Sequence, residues 1–349
     1  MNSPIRVRKP LSSPWPGADP FLFIAHHLDA YPASDGAQGV PADRLGGRDP
    51  HSDFSGRDGF SMYHSGPIPG FPAHPHRGFE TVTIVESGLV DHSDSLGATA
   101  RYGKGDVQWL TAGAGVMHAE MFPLESENAD NPLDLYQIWL NLPPEDKMVP
   151  PAFKMLWAPT IPLYRHASDN GAVATVKVIA GTYTPVEQGP SLVPPTPPPS
   201  SWATRPDTDL AIWLVCLQPG ASITLPAAQD SRTLRALYFH KGSRIQLDDE
   251  SSQGHEVFEV DASRQVRLHN DGADEARVML MQAVPIRAPV AAMGPFVMNT
   301  DAELLQARRD FGRTQFGGWP WPVAGPVHAV GEGRFALYPG AEHPERPPA

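Results

Sequence analysis

The stretch HPHRGFETVTIVESG, residues 74–88, decides most of what this chain can be. Residues 79–85 (FETVTIV) are β-branched and partly alternate between apolar and polar, which is the pattern of a strand, and Gly88 is expected to close it as a hairpin. Just before it, His74 and His76 stand at i and i+2, so on extended chain both rings point to the same face. Working outward, residues 106–110 (DVQWL) follow a Gly-Lys-Gly turn, and residues 135–142 (LYQIWLNL) form a third strand stopped by Pro143 and Pro144. Further strands are expected at 172–180, 210–217, 234–239 and 276–284. Short strands at this spacing read as an all-β sandwich or barrel. The 40 prolines and 31 glycines agree, because proline costs a helix interior about 3 kcal/mol while strand ends and turns accept it. One helix is expected, at 301–311, with Thr300 at its N-cap and Glu303 completing a capping box.

The two halves repeat a pattern: a run of strands, then a late strand ending at proline, Pro143 in one and Pro285 in the other. At 349 residues the chain has room for about two domains, each with its own core. We therefore expect a barrel over residues 1–160 and a second over 161–349, the latter with a C-terminal extension. Residues 185–206, which contain PPTPPP, read as a stiff extended loop. Residues 29–66 are rich in Gly, Asp, Ser and His, and are long for a connection in a compact domain; they read as a functional loop or as partly disordered.

Composition removes several classes of function. Lys plus Arg number 27 against 39 Asp plus Glu, a net charge of −12, and there is no basic cluster to track a nucleic-acid backbone. The single cysteine, Cys216, makes neither an internal disulfide nor a thiolate zinc site, and the expected compartment is a reducing cytoplasm. No apolar run is long enough to span a membrane, and no signal-type apolar segment follows the basic residues near the N-terminus.

The chemistry is concentrated in AHPHRGFE, residues 73–80, and GVMHAEMF, residues 115–122. His118 and Glu120 repeat the i, i+2 spacing of His74 and His76 on a second expected strand. Two such pairs on neighbouring strands bring three imidazoles and one carboxylate to one point, a donor set suited to a first-row divalent metal. With 14 histidines in the chain one HxH pair can arise by chance; a second donor pair of the same spacing is much harder to explain that way. Pro75, Gly113 and Gly115 bend the chain beside these residues. In the second half His240, His255 and His269 are single and widely spaced, so that barrel is expected to lack a metal.

HPHRGFETVTIVESG, GDVQWLTAGAGVMHAEMF, YQIWLNLPPEDKMVPP and GPFVMNT together resemble the pirin family of the bicupin superfamily, and DPFLF at residues 19–23 is similar to the family's early segment. The resemblance implies two tandem cupin barrels (jelly-roll, or double-stranded β-helix) with few short helices. It implies a mononuclear non-haem iron, Fe(II), in the first barrel, with His74, His76, His118 and Glu120 as its ligands. Generic cupins draw their carboxylate from a position that Glu80 fits. We favour Glu120 and assign Glu80 the role of an acceptor that orients a ligand histidine.

The leading function implied is that of the quercetinase-like pirins: an oxidoreductase that cleaves a flavonol with dioxygen, Glu120 taking the proton of the flavonol's 3-hydroxyl. The alternative is a non-enzymatic metal protein that regulates a transcription factor or metabolic enzyme by direct contact. WPWP at residues 319–322 reads as an extended tail held by ring burial. His26, His27, His51 and His64 read as solvated loop residues.

Overall fold

The computed structural model describes residues 3–348. It is an antiparallel β protein with one α-helix, Asp301–Thr314, among the described residues. No helix among these residues is long and apolar enough to cross a membrane. The chain separates into two compact units, and each is built from two stretches of sequence. One combines the chain up to Ile24 with Pro159–Arg287; the other combines Ala25–Ala158 with the chain from Ala288 onward. This differs at both ends from the expected halves 1–160 and 161–349, for reasons of strand pairing. Ile5–Pro10 lies antiparallel to Glu256–Val260, and Phe335–Leu337 lies antiparallel to Thr99–Gly103.

The unit carrying the paired histidine motifs contains two large sheets, besides a two-stranded one of Ala291–Met293 with Phe296–Met298. In one, Ala152–Leu156, Val107–Thr111, Phe79–Ser87 and Asn131–Asn141 are successive neighbours. In the other the order is Phe335–Leu337, Thr99–Gly103, Leu89–Asp94, Val116–Met121 and Gly70–His76. Val85, Leu110 and Leu135 from the first sheet pack against Val90, Tyr102 and Val116 from the second in one buried core. Two faces closing on an apolar interior are what the alternating strands require.

Gly88 is not a hairpin residue. It separates Phe79–Ser87 from Leu89–Asp94, and these strands belong to different sheets. The residue sits at φ +83, where a Cβ would meet the Leu133 side chain at 2.8 Å, so the corner demands glycine. Its positive φ serves a change of sheet as well as a turn, and the distinction lies in where residue 89 onward finds its partner.

The long 29–66 segment is packed. Val40, Phe60, Met62 and Tyr63 enter the core of this unit. The Asp29 carboxylate accepts the Ser61 amide at 2.8 Å and the Tyr63 hydroxyl at 2.6 Å, and Arg48 lies over the Phe60 ring while pairing with Asp53. His26 and His27 lie on the strand Phe21–Tyr31 rather than in a solvated loop. His26 bonds Asp134 at 2.9 Å and stacks on Tyr136, while His27 meets Tyr63 edge-on.

The other unit has the same plan. Its large sheet runs Ile5–Pro10, Glu256–Val260, Leu234–Lys241, Ala276–Ala283, Ala211–Leu217, Val173–Ala180 and Leu163–Ala167, and a four-stranded sheet accompanies it. Trp213, Val215, Leu237, Leu280 and Val278 belong to its core, together with Ile223, Leu225 and Leu268 of the smaller sheet. The helix Asp301–Thr314 has the expected capping box, the Thr300 hydroxyl accepting the Glu303 amide and Glu303 reaching back to Thr300.

Candidate metal centre

His74 and His76 lie on Gly70–His76, and His118 and Glu120 on the neighbouring antiparallel strand Val116–Met121. In the ladder His74 faces His118 and His76 faces Val116. Period-2 geometry sends the two histidines of the first strand to one side, and this register brings His118 to them. One ring nitrogen from each of His74, His76 and His118 lies within 4.8 Å of the other two. Among the described residues this is the one group of three or more His, Cys, Asp or Glu side chains with metal-binding spacing.

The donors fit a metal ion. His74 Nδ1 lies 2.9 Å from the Pro72 carbonyl, so that nitrogen carries the proton and Nε2 presents a lone pair. His74 Nε2 is 3.1 Å from His76 Nε2. Two nitrogens about 2.1 Å from a common ion, at right angles to one another, are separated by about that distance. His118 is fully buried, and neither of its ring nitrogens has a hydrogen-bond partner. A buried polar atom left in that state is costly unless something coordinates it.

Burial sets the charge states. It pushes His74 down to about 4, with the Pro72 carbonyl opposing the shift. His76 and His118 are driven well below the ordinary histidine value, first by burial and then by the neighbouring imidazoles. All three rings are therefore neutral at pH 7, the form that ligates metal. Burial raises the Glu120 carboxyl, and the Gln137 amide is the main opposing influence.

Glu120 Oε2 stands 3.6 Å from His118 Nε2, and Gln137 Nε2 donates to both carboxylate oxygens at 2.9 Å. Glu80 is placed differently. Arg77 and Gly78 interrupt the chain between Gly70–His76 and Phe79–Ser87, and the two strands belong to separate sheets, so Glu80 does not share the strand face of His76. Its carboxylate accepts Trp109 Nε1 at 3.1 Å and Thr111 Oγ1 at 2.6 Å and stands outside the imidazole cluster.

Sequence reasoning missed several neighbours. On the other side of Val116–Met121, His92 faces Glu120 and Asp94 faces His118. The His92 ring lies 5.5 Å from that of His118, and its Nε2 is 3.3 Å from Asp94 Oδ2. The i, i+2 spacing in VDHSD was the available signal. Gln137 is an amide flanked by Leu135, Tyr136, Ile138 and Trp139, and it also accepts Trp139 Nε1 at 3.1 Å. Aromatic rings flank the cluster: Trp139 and Phe79 beside His76, and Phe71 beside His74. Tyr63, His64 and Phe54 of the 29–66 segment pack on Phe71, which connects that segment to the centre.

The C-terminal tail borders the same strands. Ala73 donates its amide to the Ala324 carbonyl, and Trp321 Nε1 donates to the Asp94 carbonyl. Arg77 pairs with Asp310 at 2.9 Å and lies over the Phe316 ring. Gly115, at φ +133, is required there because a Cβ would strike that ring at 2.7 Å. The second barrel's histidines are engaged separately: His240 with the Tyr238 carbonyl and the Trp15 ring, His269 with the Ser222 hydroxyl, and His255 against the Phe239 ring.

Two jelly-roll units, one of them holding three converging buried imidazoles, define a bicupin with a candidate metal centre. Residues 47–140 match the pirin family model, and residues 212–317 match the model of the pirin C-terminal cupin domain. The chain belongs to the pirin family. It is 34% identical over 247 residues to a Pseudomonas aeruginosa protein named "Putative quercetin 2,3-dioxygenase", covering 71% of this chain and 79% of that one. It is also 34% identical over 257 residues to pirin of Homo sapiens, covering 72% and 79% respectively. A crystal structure of quercetin 2,3-dioxygenase from Acinetobacter baumannii superposes with a TM-score of 0.59 at 28% identity, covering 86% of this chain and 99% of that one.

Proposed function

We propose that this chain is an iron-dependent dioxygenase that opens the heterocyclic ring of a flavonol, the quercetin 2,3-dioxygenase type of reaction, with His74, His76, His118 and Glu120 as ligands of one ion. The observation that carries the reading is the cluster of three buried, neutral imidazoles, one without any hydrogen-bond partner, next to a buried carboxylate. Nitrogen and oxygen donors of this kind suit Fe(II), and other first-row divalent ions in second place. When bound, the ion supplies Lewis acidity that makes a coordinated hydroxyl more acidic.

The protein groups do the rest. Glu120 takes the 3-hydroxyl proton, and burial, which raises its carboxyl above the ordinary value, makes it a stronger base for that step. Gln137 bonds both carboxylate oxygens and keeps Glu120 in place as it gains and loses that proton. Phe71, at 6.3 Å from the His74 ring, and Trp139, at 5.3 Å from the His76 ring, offer flat surfaces to an aromatic substrate. The relatives in Pseudomonas aeruginosa and Acinetobacter baumannii whose names carry this activity support the choice of substrate class.

Aerobic incubation of iron-loaded protein with quercetin, followed by flavonol absorbance and carbon monoxide release, tests the reading. Turnover is expected with the native chain and not with His76→Ala. Iron-replete protein that leaves flavonols unchanged in air overturns it.

A further inference from the structure

Among the described residues the second barrel has no histidine cluster, yet one end of its interior carries hydrogen-bond donors without acceptors. Ala211, Gln282 and Arg235 face one another across three neighbouring strands of the large sheet. The next two rows on the same face, Trp213–Leu280–Leu237 and Val215–Val278–Phe239, belong to the apolar core. Arg235 thus stands where the core gives way to polar chain, and it is only 2% exposed. Its Nε donates to Gln282 Oε1 and its Nη1 to the Pro226 carbonyl, both at 2.7 Å. Its Nη2 is buried with no acceptor, and so is the Nε1 of Trp213.

No carboxylate neutralises this guanidinium directly. Among the described residues none lies within ion-pair distance. Asp209, the acid that acts on it at longer range, is engaged elsewhere. One Asp209 oxygen accepts the Gln229 amide, the Asp230 amide and the Thr233 hydroxyl at 3.0, 3.1 and 2.6 Å. The Gln282 amide donates to the other oxygen at 3.3 Å and to the Asp209 carbonyl at 3.1 Å. Burial pushes Arg235 down to about 10, which still leaves it cationic at pH 7. A buried cation with an idle donor is costly, and an anionic oxygen is the partner that best relieves the cost.

A cavity of about 550 Å³, a size that suits a small molecule, is lined by Trp213 and Gln282 of this group, though not by Arg235 itself. Leu210, Pro226, Thr184 and Arg205 also line it, as do three acids, Asp207, Asp209 and Asp230. We propose that this cavity binds a small organic carboxylate, whose oxygens take the hydrogens of Arg235 Nη2 and Trp213 Nε1 while its body lies along the Trp213 and Leu210 side of the wall. The ligand reaches the guanidinium by turning aside the Gln282 amide, exchanging a neutral acceptor for an anionic one. An anionic acceptor adds to this bond, already assisted by the guanidinium charge, the ion-pair attraction that the neutral amide lacks.

The test is calorimetric titration of the full-length, metal-loaded chain with benzoate, with its neutral counterpart benzamide, and with inorganic phosphate. Benzoate is expected to saturate one site per chain, to bind at least about tenfold more tightly than benzamide, and to outcompete phosphate. Binding should persist in His76→Ala, which separates this site from the metal centre and from the proposed oxygenase activity. Arg235→Gln should weaken benzoate about tenfold or more. If that variant fails to fold, Trp213→Phe, which keeps an aromatic ring in the core and removes the N–H, should weaken it about fivefold. Gln282→Ala should tighten it, an outcome that a purely structural role for the cluster does not produce. Absence of saturable benzoate binding, equal binding of benzamide, preference for phosphate, or full affinity in Trp213→Phe overturns the proposal.

Discussion

Replacing Gln137 by Leu isolates the support of the carboxylate from the ligands themselves. Gln137 donates one Nε2 to both oxygens of Glu120 at 2.9 Å, and the carboxylate also lies 3.4 Å from the Thr83 hydroxyl. Leu is similar in size, so the lost quantity is mainly one shared bond to a charged acceptor, worth about 1.5–3 kcal/mol. At about 1.4 kcal/mol per decade this corresponds to roughly 10- to 100-fold in metal affinity, the usual range for removing a group that orients a ligand. Competition between the protein and a chelator of known iron affinity measures the change directly, and it requires no turnover. The fold should survive, because Gln137 is half-buried at an otherwise intact strand position. Native-like affinity in Gln137→Leu would refute the reading that Gln137 holds Glu120 in place for the ion.

Glu80→Gln should reduce metal content much less than Glu120→Gln, because Glu80 serves Trp109 and Thr111 whereas Glu120 Oε2 stands 3.6 Å from His118 Nε2; elemental analysis of both purified variants decides it. Replacing His240 and His269 together by Asn should leave metal content unchanged, since neither belongs to the cluster; metal loss would reveal a site in the second barrel. Lys147 is buried, its ammonium donating to the Gly78 and Val297 carbonyls at 2.7 and 2.9 Å and to the Asn141 side chain, and burial lowers it from 10.5 to about 8. The unfolded chain then binds more protons than the folded one between those values, so this residue makes stability rise with pH from about 8 to about 10.5. Urea unfolding across that window should show a steeper rise for the native chain than for Lys147→Met, and identical slopes would refute the assignment.

What could be read in the sequence was local. The i, i+2 spacing of His74/His76 and of His118/Glu120 places each pair on one side of its strand whatever the strand pairs with. The capping box at Thr300 and Glu303 is equally local, and the helix begins where it should. What could not be read depended on pairing between distant segments. Gly88 has the positive φ of a hairpin turn, yet only the register of Leu89–Asp94 with Val116–Met121 makes it a corner between sheets. Ile5–Pro10 finds Glu256–Val260 across almost the whole chain, and no residue near the N-terminus announces that partner.

The same limit explains why Gln137 and Arg235 escaped notice. A polar residue in an alternating strand reads as solvent-facing, since the outward face of a half-buried strand is where such residues usually lie. Both occupy strands whose other residues are mostly buried, so their side chains are directed by the barrel interior rather than by water. An interior amide or guanidinium is tolerated only where its donors are needed, because each idle one carries a desolvation cost. Gln137 meets that condition through Glu120 within its own unit. Arg235 meets it in part, through Gln282 and Pro226, and its remaining donor is the physical reason to look for a ligand in a barrel that lacks a histidine cluster.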